Sequence, residues 1–309
     1  MEIFDDAGFP HGVVNMVYGN GAGVGERLVT HPDVPVISFT GSRATGGHVS
    51  EAGASQLKRI HLELGGKNAI IVMDDADLDL AADGILWSAF GTSGQRCTAA
   101  SRVIVHEQVY DRLAARLVGA AERMRLGPGW EADTDVGPVI NGDALEKIHS
   151  YTEIGKGEGA ELLTGGEVAT DNGLDRGFFY RPTIFGAVEP EMRIAQEEIF
   201  GPTTALIPVR DFEEAIRVAN GVRYGLSSAI FTQDVNLAFR AVRDLEAGIT
   251  YVNAGTIGAE VHLPFGGTKD TGNGHREAGQ AALDVFTEWK SVYVDYSGKL
   301  QKAQIDTNE

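Results

Sequence analysis

The chain has 309 residues, with 44 acidic against 26 basic side chains, a net charge of −18, 40 glycines and one cysteine. That charge argues against nucleic acid or an anionic membrane as partner, and a single cysteine excludes an intrachain disulfide or a multi-cysteine metal site. The length allows two domains around a large core, no apolar run approaches the ~18 residues of a membrane span, and Met1 leads into acids rather than a basic and apolar leader, so a reducing cytoplasm is expected.

In chain order, residues 2–7 read as the end of a helix stopped near Gly8 and Pro10. Val13 to Tyr18 reads as a buried strand. GNGAGVG at 19–25 lacks the glycine spacing of a dinucleotide fingerprint, since Val24 and Glu26 stand where glycines are needed. It is read as a plain strand-to-helix loop before a short helix over 22–30. Pro35 to Thr40 is a strand, and GSRATGG at 41–47 turns into a helix reaching about Gly53. Ser42 lies at that helix start, where free amides suit a phosphate.

Leu57 to Leu64 reads as a strand carrying Glu63, and Ala69 to Met73 as a fully apolar strand of a sheet covered on both faces. The aspartates of 74–81 suit capping of a helix over 76–90, and no metal site is expected there. Further strands are expected at 102–106, 160–164, 183–188, 204–209, 227–231 and 250–253. Helices are expected at 107–124, 143–157, 211–220 and 235–246. Residues 165–178 read as a surface hairpin, 254–267 as a long loop, His275 as structural, and 288–296 as an alternating strand. This β/α alternation predicts parallel, doubly wound sheets.

Two stretches carry chemistry. Phe90 to Ser101 is FGTSGQRCTAAS. Gly91 and Gly94 let the backbone come close to a ligand. Arg96 and the amides after Cys97 favour a thiolate, so Cys97 is a candidate nucleophile rather than a small buried hydrophobe. Ile60 to Val72 is IHLELGGKNAIIV, with Glu63 placed among leucines. A carboxylate there is costly unless it is paired or used. Together they suggest two-stage chemistry, in which a thiolate attacks a carbonyl and a carboxylate later activates water.

LELGGKNA and FGTSGQRCTAAS resemble the glutamate and cysteine signatures of the NAD(P)-dependent aldehyde dehydrogenases. EEIFGP at 197–202 and PFGGTKDTGNGHREAG at 264–279 resemble two more of that family's blocks, in the same order. The resemblance runs over residues 8 to 297. It implies a partial Rossmann-like nucleotide domain (1–65), a doubly wound α/β catalytic domain (66–270) and a carboxy-terminal return with an oligomerisation strand (271–309). It implies oxidation of an aldehyde to the acid through a Cys97 thiohemiacetal and a thioester hydrolysed with Glu63 as base. NAD or NADP would be held by Gly41, Ser42, Gly46, Leu64, Glu198 and Phe200, and the aldehyde pocket would include Arg96, Thr98, Gly258 and Ala259. A homodimer or homotetramer is implied, and the block pattern with GTIGAE looks closest to semialdehyde-oxidising branches such as aminoadipate-semialdehyde dehydrogenase.

One departure is large. Family members carry a long further stretch upstream of what is Gly8 here. It holds the first strands of the nucleotide fold, the residue that chooses NAD or NADP, and an oxyanion-hole amide. The expectation is therefore either an aldehyde dehydrogenase catalytic part, or a truncated chain without turnover that acts as an oligomerising or complementing subunit.

Overall fold

A computed structural model describes residues 1–299. A short helix α1 (Glu2–Asp6) is followed by coil, a wide π-type turn at 21–25, and α2 (Glu26–Thr30). Then come β1 (Val36–Thr40), α3 (Arg43–Ala54) and β2 (Arg59–Glu63), a small unit whose two strands pair in parallel from Val36 opposite Arg59 to Thr40 opposite Glu63. Ser42 caps α3 by accepting the Thr45 N–H. Ile60 and Leu62 of β2 point into a small core with Val29 and Val49. By strand alternation, Arg59, His61 and Glu63 face the other way.

The larger unit begins with β3 (Asn68–Val72), α4 (Leu78–Phe90), β4 (Ala100–His106), α5 (Glu107–Ala121) and α6 (Gly142–Gly157). It continues through β5 (Glu161–Thr164), β6 (Thr183–Gly186), α7 (Arg193–Gln196), β7 (Thr203–Val209) and α8 (Phe212–Asn220). It closes with β8 (Tyr224–Gly225), β9 (Ser227–Phe231), α9 (Val235–Asp244), β10 (Ile249–Val252), β11 (Thr268–Lys269) and α10 (Ala281–Phe286). Seven of these strands form one sheet in the order β10-β9-β3-β4-β7-β6-β5, parallel except for the edge strand β5.

Both faces are covered, as the apolar β3 predicts. Ile70 and Val72 pack with α4 and α5. Ala69 and Ile71 pack with α6, α8 and α9 on the opposite face. This is the expected doubly wound α/β arrangement. Among the described residues, no helix is long and apolar enough to cross a membrane.

Three expectations fail, two for want of a partner and one through local backbone conformation. Val13 to Tyr18 is exposed coil rather than a buried strand, and nothing among the described residues pairs with it. An apolar run becomes a strand only where a neighbour takes its backbone hydrogen bonds. The segment 288–296 is likewise not a strand, and Tyr293 is 95% exposed. Residues beyond 299, within the expected 271–309 unit, lie outside the described residues. The expected hairpin at 165–178 is a 3-10 turn over Asp171–Arg176 with a single bridge between Val168 and Tyr180, because Asn172 and Gly173 take left-handed conformations (φ 54° and 83°). The two-residue strands β8 and β11, which pair antiparallel, are too short to leave a sequence pattern.

Candidate active site

The carboxyl end of β2 meets the amino ends of β3 and β4. Glu63 is the last residue of β2, Leu64 to Lys67 turn the chain into β3, and Cys97 lies just ahead of β4. Asn68 opens β3 and ties this junction together. Its amide Nδ2 donates to the carbonyls of Cys97 (2.7 Å) and Ala99 (2.9 Å), and its Oδ1 accepts the Ser227 N–H (3.0 Å). Gly66 must be bare, because a Cβ there would lie 2.5 Å from the Cys97 carbonyl oxygen. Gly94 has φ +64°, and its Cβ would strike the Gly201 carbonyl. The cysteine loop is thus clamped from β3 and from the 197–202 block.

The Asn68 clamp has a measurable consequence. Asn68→Ala leaves two buried carbonyls and one N–H unsatisfied, each costing ~1–3 kcal/mol. Denaturant titration should show a loss of at least ~3 kcal/mol, with faster alkylation of the loosened Cys97.

Glu63 is 5% exposed, and its Oε2 has no hydrogen-bond partner. Its backbone is fixed by the Gly41 N–H, which donates to the Glu63 carbonyl (3.1 Å), and by a bridge to Gly272. Gly266, at φ +144°, leaves room for the carboxylate, since a Cβ would sit 2.7 Å from Oε1. Burial, and secondarily the charge of Glu277, push the Glu63 carboxyl from 4.5 up to about 8, with Arg276 opposing. No ion pair offsets the burial. A carboxyl set this high is suited to take a proton near neutral pH.

Cys97 departs from expectation. The Thr98 amide and Arg96 do favour the thiolate, but burial, followed by the charges of Glu63 and Glu198, outweighs them and raises the thiol above its ordinary value. Arg96 is exposed, so water screens it. Cys97 therefore rests as a thiol. Thr98 acts through its backbone: its side chain is buried, and its carbonyl accepts the Thr256 hydroxyl (2.7 Å).

Glu198 reaches the same junction. Its Oε1 accepts the Gly66 N–H (2.9 Å), and a Cβ on Gly65 would lie 2.3 Å from its Oε2. Burial raises its carboxyl, against the Gly66 hydrogen bond and the charges of Lys147 and Lys67. Phe200 follows in a left-handed conformation (φ 61°) with its ring exposed. Lys67, to which the sequence reading gives no role, is 2% exposed with an unpartnered Nζ, and burial pulls it down to about 7. A lysine directly after Gly-Gly in an apolar run was the available signal.

The proposed cofactor residues on the small unit divide. Gly46 and Leu64 pack on each other, since a Cβ on Gly46 would lie 2.5 Å from Leu64 Cδ2, and the Leu64 N–H is taken by the Thr271 carbonyl. Gly41 abuts the Phe39 ring, and Ser42 stands at the α3 start. Beside Ser42 opens an apolar cleft of about 740 Å³ between α2 and α3, walled by Val29, Phe39, Val49, Gly21 and Gly25. The glycine-rich segment that fails the fingerprint spacing forms one wall, its bare positions leaving the cleft open. Sequence reasoning missed this cleft. It and the capped helix start fit a flat, phosphate-bearing molecule.

Gly258 and Ala259 lie in an exposed loop, Gly258 facing the Tyr251 ring. Arg96 and Glu260 both act on the Tyr251 hydroxyl, so this rim carries charges of both signs.

The chain is similar in sequence and fold to known proteins. Alpha-ketoglutaric semialdehyde dehydrogenase of Bacillus subtilis is 42% identical over 291 residues, covering 94% of this chain and 60% of that protein. Alpha-ketoglutarate semialdehyde dehydrogenase of Haloferax volcanii is 46% identical over 293 residues, with the same coverage. The crystal structure of betaine aldehyde dehydrogenase from Staphylococcus aureus in complex with NAD+ superposes with a TM-score of 0.89 at 37% identity, covering 92% of this chain and 56% of that one. The chain thus spans about 60% of the length of the curated relatives it matches. Residues 1–292 match the family model described as the aldehyde dehydrogenase family, and the chain belongs to that family.

Proposed function

We propose that this chain carries the acyl chemistry of an NAD(P)-dependent oxidation of an aldehyde, of the semialdehyde class, to its carboxylic acid. The observation that carries the reading is the junction of Glu63 and Cys97, a buried carboxyl raised to about 8 with a free oxygen, whose charge acts on a half-buried thiol. Glu63 as carboxylate takes the thiol proton while the sulfur adds to the aldehyde carbon, giving a thiohemiacetal. The Cys97 backbone N–H donates to the oxyanion. NAD(P), held there, would supply the hydride acceptor for that carbon. Glu63 releases its first proton to solvent, takes a second from the water that attacks the resulting thioester, and returns it to the Cys97 sulfur as the acid leaves.

The Glu198 carboxylate suits ribose hydroxyls, the exposed Phe200 ring suits the face of a nicotinamide, and the cleft beside Gly41 and Ser42 suits an adenosine end with its pyrophosphate. The NAD+ in the Staphylococcus aureus neighbour supports this assignment, and the names of the two semialdehyde dehydrogenases support the substrate class. The exposed Arg96 and the amides near Gly258 and Ala259 would orient a distal carboxylate, with Thr98 holding the floor. We also assign the chain to the cytoplasm, and to a homodimer or homotetramer joined through the exposed, alternating 288–296 segment. The test is NADH formation at 340 nm with NAD+ and a panel of semialdehydes, beside a Cys97→Ala control. Turnover that survives the control would reject the reading.

A second reading has its own observation. Phe4, Phe9, Met16, Val17 and Tyr18 are exposed around a small sheet of only two strands, and the α2–α3 cleft lies open. Such a surface fits a chain that works only with a separately supplied nucleotide-binding partner. Activity that appears only on adding the upstream part of a relative would favour this reading.

A further inference from the structure

β2 meets the carboxy-terminal segment at three successive points. The Glu63 backbone bridges Gly272, and on the face opposite the core the His61 ring meets His275 and Arg59 meets the Thr287 carbonyl (2.9 Å) and Glu288 (3.4 Å). Asn273 completes the docking along the free edge of β2. It accepts the Leu62 N–H (3.1 Å) and donates to the Ile60 carbonyl (2.6 Å), as a neighbouring strand would. The backbone bridge, the Asn273 contacts and the Arg59 contacts are polar and paired, and the His61 contact is not. His61 is 4% exposed, neither of its ring nitrogens has a partner, and its ring lies 3.8 Å from that of His275, tilted by 58°. A buried imidazole without hydrogen bonds is expensive, so the pair calls for an explanation beyond capping.

The segment held by this contact carries the charges that set Glu63. Glu277 raises the Glu63 carboxyl and Arg276 lowers it. Arg276 is anchored on the Gly267 and His275 carbonyls, and Glu277 accepts from the Ser38 hydroxyl (3.2 Å) while its N–H donates to the Phe265 carbonyl (2.7 Å). The groups facing His61 are of both signs, with burial set against its protonation. Arg59 lies on its own strand, Lys58 and Asp284 line the cavity of about 430 Å³ beyond, and His275 covers it. Burial, then His275 and Arg59, lower the His61 imidazole.

We propose that His61 and His275 form a latch: with His61 neutral, the stacked rings hold segment 272–279 on β2 with Glu277 and Arg276 against Glu63, and when His61 takes a proton the rings part and the base loses that setting. His61 and His275 are positioning residues, acting through the segment. The proposal rests on reading Glu63 as the base for its catalytic meaning, but the latch itself can be read without catalysis.

The test is hydrogen exchange of residues 272–279 in the full chain at pH 8 and pH 5, corrected for intrinsic rates, with β3 and β4 as the internal control of folding. The wild-type segment should lose several-fold in protection at pH 5, because opening lets the buried His61 take a proton. His61→Phe, which keeps a stacked ring that cannot charge, should stay protected at both pH values, and His275→Phe should open less at pH 5 than the wild type. His275→Ala should be open at both. Protection in the wild type that is unchanged at pH 5, or His61→Phe opening like the wild type, would overturn the latch.

Cys97 reactivity toward dithiodipyridine reads the link to Glu63, since Cys97 is the only thiol in the chain. Freed of Glu277, Glu63 ionises at lower pH and suppresses the thiolate, so His275→Ala should slow the reaction at pH 7 about threefold. An open segment with unchanged thiol reactivity would overturn the coupling to Glu63 while leaving the aldehyde reading to its own NADH assay.

Discussion

Replacing Cys97 by alanine is expected to abolish covalent acyl transfer to the chain and to lower aldehyde oxidation by at least ~10⁴, the scale at which loss of a nucleophile is felt. No second thiol exists to substitute. Because Cys97 is half-buried and its loop is held by Asn68 through backbone carbonyls, the alanine variant keeps those hydrogen bonds and should fold. Mass spectrometry after incubation with an activated ester, together with the NADH assay, checks both halves. A folded Cys97→Ala protein that still acquires an acyl group would place the nucleophile elsewhere.

Glu63→Gln is expected to separate the two stages. Acylation of Cys97 should slow but still run to completion through the thiolate fraction, while thioester hydrolysis falls by ~10²–10⁴, the range for loss of a general base. The product would be a burst followed by a stalled acyl-enzyme. In the wild type, hydrolysis should rise with pH and level off above about 8, where Glu63 becomes the carboxylate. The variant should lose this limb.

The same substitution acts on stability, and with a definite sign. The Glu63 carboxyl is raised in the folded chain, so the stability it contributes is fully present below 4.5 and is lost as pH rises through about 8. Glutamine carries no charge to bury. Glu63→Gln should therefore be more stable than the wild type at pH 9, by an amount on the order of 5 kcal/mol, and nearly as stable as the wild type at pH 4. A variant less stable at pH 9 would show that Glu63 has a favourable partner when ionised.

Much of the large unit was legible because periodicity and turn chemistry agree there. The all-apolar run at 69–73 implies helices on both faces, and Ile70 and Ile71 do point to opposite cores. Ser42 and Asp77 cap α3 and α4 near the expected starts. What failed depended on what lies across a gap. Val13 to Tyr18 and Trp289 to Tyr296 have strand-like patterns, but a strand needs a neighbour that pattern alone does not supply.

The candidate site was legible to a similar limit. Glu63 and Cys97 stand out by type and setting and Glu198 by the family resemblance alone, and the fold brings all three to the Gly65–Gly66 turn. The state of Cys97 was not legible. Arg96 is its neighbour in sequence, whereas the carboxylates that raise the thiol arrive from β2 and from the 197–202 block. The cleft beside Ser42 was missed because its wall is built from glycines that match no spacing rule. His61 and Lys67 were missed because a polar residue inside a strand or turn reveals its isolation only once its surroundings are in place.

The central claim, that Cys97 is acylated and Glu63 clears it, is tested most directly with p-nitrophenyl acetate, which needs no cofactor. The quantity to measure is acetyl groups per chain over time, by intact mass with peptide mapping, in the wild type and in Glu63→Gln. The account predicts one acetyl group on Cys97 that persists in Glu63→Gln and turns over in the wild type, faster at pH 9 than at pH 6. Equal lifetimes of the adduct in the two proteins, or an adduct at any other residue, would contradict it.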